Sequence, residues 1–152
     1  MATGTRYGVD LRAALPADAA DLAALLGGTA RQMADRLEAM ARDPASAVLV
    51  ATAWNGAAIG VIALSWHPSL AADRPLARIT ALAVAEEERR NGIGRLLIKA
   101  GAQAARAAGC DLLEAAPSEK EEGGTAFLHA LGFVTAGGNL ARPLRKRAPG
   151  TP

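Results

Sequence analysis

The sequence predicts one mixed α/β domain, with a sheet that is antiparallel in its first half and carries a parallel strand pair at a glycine-bearing corner. Three observations point there. Two strand-like runs, "AVLVATAW" at 47–54 and "AIGVIALSW" at 58–66, flank Asn55-Gly56, a dipeptide that readily takes the positive φ angles of a tight hairpin. A further run at 77–84 passes through Gly92 and Gly94 into an apolar-periodic helix and then another run at 111–116, and a strand–helix–strand unit of that length makes a right-handed parallel crossover. Finally, 152 residues at 51% hydrophobic content can bury one good core and are short for two.

Taken in order, the chain begins with a short extended stretch around Val9 to Leu11. "LPADAADLAALLGG" then places Pro16 in a first helical turn, Leu22, Leu25 and Leu26 on one face, and Gly27-Gly28 as a stop. In "TARQMADRLEAMARDP", Thr29 and Gln32 have capping-box spacing, Met33, Leu37 and Met40 form one stripe, and Pro44 lies beyond the end. Those methionines read as core filler, because their spacing is the apolar helix period. The hairpin strands follow, then a loop with His67, Pro68 and Pro75, and then "ARITALAV", whose β-branched and aliphatic content suits a strand. After the corner, Ile93, Leu96, Leu97, Ala100, Ala104 and Ala107 recur at helical spacing up to the stop at Gly109. "DLLEAA" reads as the parallel strand, "PSEKEEGGT" as a polar loop, "AFLHAL" as a short helix ended by Gly132, and "FVTAG" as a last strand. The prediction is one domain over residues 1–141 with about four helices and no internal repeat, followed by a basic, proline-containing tail at 142–152.

Composition narrows the function. Apolar runs fall short of the ~18 residues that a membrane span needs, and the N-terminus lacks a basic-then-apolar secretory pattern, so a cytoplasmic location is expected. Cys110 is the only cysteine, which excludes an internal disulfide and a cysteine-based metal cluster, and His67 and His129 are too far apart to suggest a metal site. Cys110 is read as structural. The formal charge of +2 hides an asymmetry: Arg142, Arg145, Lys146 and Arg147 sit in the last eleven residues, leaving thirteen cations against fifteen acids, −2, on the rest. Without aromatic interleaving, that tail reads as a solvated end, and neither nucleic acid nor membrane is expected as a partner.

The corner carries the chemistry. A strand running into a helix through Gly92 and Gly94 leaves backbone N–H groups free at the helix N-terminus, where the helix dipole is positive. Such an end binds anions, glycines let a diphosphate approach the main chain, and Arg89, Arg90 and Arg95 add positive charge. The stretch lacks the Gly-Lys-Ser/Thr ending of a Walker A loop, and Leu97 stands where the dinucleotide fingerprint has its third glycine. Spacing alone leaves an ordinary helix start equally open.

"ITALAVAEEERRNGIGRLLI" resembles the acyl-coenzyme A site of the GNAT N-acetyltransferase superfamily, whose signature is Arg/Gln-x-x-Gly-x-Gly/Ala directly after a strand ending in Leu-x-Val. Arg89, Gly92, Gly94, Leu82 and Val84 match it. "AFLHALGF" is similar to the family's helix ending in Phe-Tyr-x-x-x-Gly-Phe, with Phe127, Gly132 and Phe133 in place. The resemblance implies a parallel pair of strands splayed around the coenzyme and acetyl-CoA as co-substrate, with no metal. It further implies that N–H groups of Asn91, Gly92, Ile93, Gly94 and Arg95 hold the pyrophosphate, flanked by Arg89 and Arg90. Backbone along Leu82, Ala83 and Val84 would pair with the pantetheine arm, and the Leu82 N–H would face the thioester carbonyl, where negative charge develops. The implied activity is acetyl transfer to a primary amine of a small molecule or protein, and a homodimer is a possible assembly.

Two positions depart from the family pattern. An amine of pKa ~10.4 must lose a proton before it attacks, and many members place an acid on the fourth strand for this; here Thr80 and Ala81 occupy the matching positions. Glu114 is the remaining candidate base, with a solvated strand-edge carboxylate as its alternative. Leu128 sits where the family commonly has the tyrosine that protonates the departing thiolate, so a catalytically weakened acyl-CoA-binding module is the rival expectation. His129 should point away from the site, since a helix turns about 100 degrees per residue. Tyr7 is read as packing, His67 as a loop residue, and Trp54 and Trp66 either as lining for an acceptor pocket or as core or interface residues.

Overall fold

The computed structural model describes residues 8–89, 91–116, 124–136 and 139–144. Strand β1 (Asp10–Ala13) leads through a 3-10 turn at Pro16–Asp18 into helix α1 (Ala19–Leu26) and then α2 (Ala30–Ala41). Strands β2 (Ser46–Thr52), β3 (Ala58–His67) and β4 (Leu76–Val84) follow, then a 3-10 turn at Glu86–Glu88 and helix α3 (Ile93–Ala107). The chain closes with β5 (Leu112–Ala115), α4 (Gly124–Ala130), β6 (Val134–Ala136) and β7 (Asn139–Pro143). One seven-stranded sheet results, ordered β1-β2-β3-β4-β5-β7-β6, in which only β4 and β5 run parallel.

Period-two alternation sorts the apolar side chains of the strands into two layers. Val50 and Val61 face α1 and α2, where Leu22, Met33 and Leu37 complete a buried cluster. Ile62 and Leu64 face the other way, into a larger cluster with Ile93, Leu97 and Ile98 of α3, Leu128 of α4 and Phe133. Helix α3 lies unusually close to the sheet because two contact points lack a side chain. A Cβ on Gly60 would come within 3.0 Å of Leu97 Cδ1, and one on Gly101 within 2.8 Å of Ile62 Cδ1. This shifts the buried face of α3 from the predicted one: Ile98, Gly101, Ala102 and Ala105 are buried beside Ile93 and Leu97, while Ala107 is exposed. Small residues at 101, 102 and 105 let the helix settle on that side, and a hydrophobic count alone passes over a glycine.

The capping box forms as its spacing predicts: Gln32 N donates to Thr29 Oγ1 at 3.1 Å, and Thr29 N donates to Gln32 Oε1 at 3.0 Å. Other details differ from expectation. The Asn55-Gly56 hairpin closes through a three-residue loop, with Gly56 N on Ala53 O and Ala53 N on Ala57 O, both 2.9 Å, and only the glycine there needs its φ of +85°. Leu26, at the frayed end of α1, is exposed. Strand β7 was not predicted: Arg142 and Pro143, grouped by sequence with the tail, sit in a strand inserted between β5 and β6, with Leu144 buried behind it. Five residues containing a proline and an arginine carry too little alternation to be recognised alone. Residues 145–152 of the tail lie outside the described residues, as do Tyr7, Arg90 and most of the polar loop. Among the described residues, no helix is long and apolar enough to cross a membrane.

The entry into the helical layer is held by an ion pair that the sequence did not advertise. Asp18 is buried, and its carboxylate accepts from Arg12 Nη1 at 2.7 Å, from Arg12 Nη2 at 2.8 Å and from Leu15 N at 2.7 Å. These hydrogen bonds, Arg12 foremost, lower the Asp18 pKa against the opposing effect of burial. A carboxyl whose folded pKa lies below its unfolded value stabilises the fold above that unfolded value and loses the contribution as pH falls through the folded one. Asp18→Asn should therefore cost about 2 kcal/mol at pH 7, with a smaller difference from wild type at pH 3. Urea midpoints of the two proteins at both pH values check this; an equal gap at pH 3 and pH 7 would exclude the ionised pair as the source.

Candidate functional site

The site begins with a fault in the sheet. Strand β4 pairs with β3 from Gly60↔Val84 through Ala63↔Ala81, and then the register jumps to Leu64↔Ile79, so Thr80 is an extra residue. A bulge of this kind bends the strand that carries it and sharpens its twist. The Thr80 hydroxyl donates to Ala63 O at 3.3 Å, which ties the bulge back to β3. On its other edge β4 meets β5 at two rungs only, Ala77↔Leu113 and Arg78↔Glu114. Past them the two parallel strands part, and no rung joins Ile79–Val84 to β5. The result is a wedge whose β4 wall is an uncovered strand edge inside the molecule.

At the wide end of the wedge the chain turns into α3. Gly92 takes φ +78° and ψ +9°, a left-handed conformation that costs a residue with a Cβ about 1–2 kcal/mol. It occupies the N-cap position and offers no side-chain cap; its carbonyl accepts from Leu96 N at 3.1 Å. The N–H groups of Ile93, Gly94 and Arg95, the first turn of the helix, have no intrahelical acceptor. Neither of the usual remedies is present. The first turn contains no acidic residue, and it carries Arg95, a cation at the positive end of the helix dipole, which is unfavourable by ~0.3–1 kcal/mol unless an anion sits nearby.

Wedge and helix end open into a single cavity of about 860 Å³. Leu82, Ala83, Val84, Arg89, Gly92, Ile93, Gly94 and Arg95 all line it, so the structure brings these predicted residues together. Asn91 does not line it; its Nδ2 donates to Glu88 Oε2 at 3.2 Å, and Glu88 does line it. The Phe127 ring roofs the bend: a Cβ on Gly94 would stand 3.1 Å from Phe127 Cζ. That close approach gives a local reason for glycine at 94, separate from the φ that requires glycine at 92. The narrow end is formed by Ile79, Ala81, Ala115, Ala116 and Leu128. Ala81 and Leu128 are the departures from the family's base and acid positions that the sequence singles out, whereas Ile79, Ala115, Ala116 and Glu88 were not expected at the site, because their apolar or acidic character carries no signal until the wedge places them together.

Glu114 is outside the cavity lining. Strand alternation turns Leu113 and Ala115 into the α3 layer and Glu114 to the opposite face of the sheet, half-buried and in register with Arg78. Leu128 is only 6% exposed and belongs to the core, so no hydroxyl stands at that position. His129 Nδ1–H donates to Phe133 O at 3.0 Å and closes the end of α4, away from the cavity. Cys110 is fully buried, and burial raises its thiol pKa, the opposite of what a reactive thiolate needs. Of the two tryptophans, Trp66 packs half-buried against the core, while Trp54 stands 88% exposed at the hairpin tip; neither lines the cavity.

Comparison with known proteins agrees with this geometry. The family model described as "Acetyltransferase (GNAT) family" matches residues 19–133. Among solved structures, a putative acetyltransferase from Agrobacterium tumefaciens is 28% identical with a TM-score of 0.73, the alignment covering 83% of this chain and 93% of that one. A transcriptional regulator from Bacillus halodurans superposes with a TM-score of 0.76 at 19% identity, covering 84% and 94%. A GNAT family N-acetyltransferase from Escherichia coli, solved in complex with CoA, is 22% identical with a TM-score of 0.69, covering 94% of this chain and 85% of that one. No curated protein sequence matches. With a family model spanning most of its length and a seven-stranded sheet that splays at one parallel pair, the chain belongs to the GNAT acetyltransferase family.

Proposed function

We propose that the protein is an acyl-CoA-dependent N-acyltransferase of the cytoplasm, moving an acyl group, acetyl in the simplest case, from the coenzyme directly to a primary amine. The observation that carries this reading is that an uncovered strand edge and an uncapped helix N-terminus open into the same cavity. The Escherichia coli relative was solved with CoA, and the residues here suit that ligand. A diphosphate at the bend would accept from the free N–H groups of the first turn of α3 and offset the charge of Arg95. The pantetheine amides would add to the open edge of β4 as a strand does.

In transfer from sulfur to nitrogen the amine must arrive neutral and the sulfur leaves as a thiolate. The sheet is open at the wedge, so the amine would approach from the face that carries Glu114 while the thioester lies along β4. On this reading Glu114 serves the acceptor side, where its carboxylate or a water held by it would take the amine proton. Without a tyrosine at 128 the thiolate departs unassisted, which is tolerable for a thiol of pKa ~8.5. A second reading, an acyl-CoA-binding module without turnover, is favoured by the same Leu128, a buried side chain that has no proton to give.

Four measurements decide among these outcomes. Calorimetric titration with acetyl-CoA should give a dissociation constant in the micromolar range, and no heat at hundreds of micromolar would dismiss both readings. Thiol release across amines, polyamines, amino acids and aminoglycosides should show turnover with at least one acceptor; saturable binding with no turnover selects the binding module. Glu114→Gln should lower that turnover about 10²- to 10⁴-fold while acetyl-CoA still binds. Gly92→Ala meets no neighbour within 4 Å, so its effect is conformational: it should cost about 1–2 kcal/mol of stability and, where the bend relaxes instead, weaken acetyl-CoA binding in the same titration.

A further inference from the structure

The cavity has charge at one end only. Glu88, Arg89 and Arg95 gather around the bend, whereas the wedge end is walled by Ile79, Ala81, Ala115 and Leu128, whose side chains consist of methyl, methylene and methine groups alone. Ile79, Ala115 and Leu128 belong to one buried cluster, so this wall is part of the core. The single polar side chain there, Thr80, is engaged with Ala63 O, and Glu114 is turned to the other face of the sheet. Between the last rung, Arg78↔Glu114, and Leu82 lie three residues of β4, about 10 Å of wedge at 3.3 Å per residue. An acetyl group extends one carbon past its carbonyl and leaves most of that length empty.

Resting on the reading above, with the thioester beside Leu82, we propose that the wedge is an acyl-chain subsite and that the donor is an aliphatic acyl-CoA longer than acetyl-CoA, of about four carbons. Alanine at 81 and 115 leaves the width, and Leu128 in place of a polar ring supplies an apolar floor. Each methylene that moves from water into such a wall strengthens binding about fourfold. A dicarboxylic acyl group is disfavoured, because its far carboxylate would be buried with no cation among the described residues lining that end.

The test is a calorimetric series on the wild-type chain with CoA, acetyl-CoA, propionyl-CoA, butyryl-CoA and succinyl-CoA. Affinity should rise from acetyl to butyryl by about fifteenfold in total, two methylenes at about fourfold each, with succinyl-CoA no tighter than acetyl-CoA. CoA binding with acetyl and butyryl thioesters within twofold of each other, or succinyl-CoA the tightest, overturns the subsite and leaves the acyltransferase reading standing. No binding of any member overturns both. A second measurement places the chain: Ala115→Val, checked for folding by its thermal transition, should lower the butyryl-to-CoA affinity ratio toward one. An unchanged ratio in the folded variant overturns the assignment of the chain to the wedge; where that variant does not fold, the wild-type series still decides.

Discussion

The site depends on the parting of β4 from β5 after two rungs. A parallel pair is a sheet's normal way of using both strand edges, and leaving one edge open inside a molecule strands a row of backbone donors and acceptors. The bulge at Thr80 makes the parting possible by bending β4 away while the hydrogen bond to Ala63 keeps it attached to β3. Everything useful follows from where that opening lies. It faces the N-terminus of α3 and leaves a gap in the sheet with a core-lined side and a side bearing Glu114. On the proposed reading, donor and acceptor meet through that gap.

Helix α3 has to be held as firmly as the strands, since its first turn is the other half of the site. Gly60 and Gly101 let it sit close against β3, and Ile93 and Leu97 fill the space that a Cβ on Gly60 would take. Packing at mid-helix thus fixes a terminus that has no cap of its own. Stability and binding are separated along one helix: apolar contact from Ile93 to Ala105 supplies the anchoring, while Gly92 and Arg95 leave the end in a condition that an anion improves. The charge of Glu88 works against an anion there, and its hydrogen bond to Asn91 spends part of that charge in closing the bend.

Much of this was legible in the chain, and for physical reasons. Helix caps, glycine stops and the crossover are local, so Thr29 with Gln32, Gly109 and the unit 77–116 could be read directly. The glycine corner was legible too, because two glycines between a strand and a helix start are a local pattern, and Gly92 does take a positive φ there. The bulge was not, since an inserted residue leaves no mark in "ARITALAV" and exists only in the register against β3. For the same reason the wall residues Ile79, Ala115 and Leu128 were invisible as a set. They are core by composition, and become a site through the gap beside them. Strand β7 was missed because its five residues take their identity from β5, which they pair, more than from their own pattern.

Leu128 shows how one substitution bears on two questions. Where the family pattern has a phenol, a leucine removes a proton donor from the cavity and at the same time adds apolar wall. The loss concerns rate, and it is moderated by the low pKa of a thiol relative to most leaving groups. The gain concerns recognition, because a polar ring at the end of the wedge would want a partner that Ile79 and Ala115 cannot offer. A side chain only 6% exposed in a cluster with Phe133 is held there by packing against several neighbours, so restoring the phenol would leave its hydroxyl to be accommodated in that cluster or in the cavity. The chain's choice at this position is therefore coupled to the width left by Ala81 and Ala115: an apolar end wall is consistent with an apolar acyl chain, and a polar one would not be.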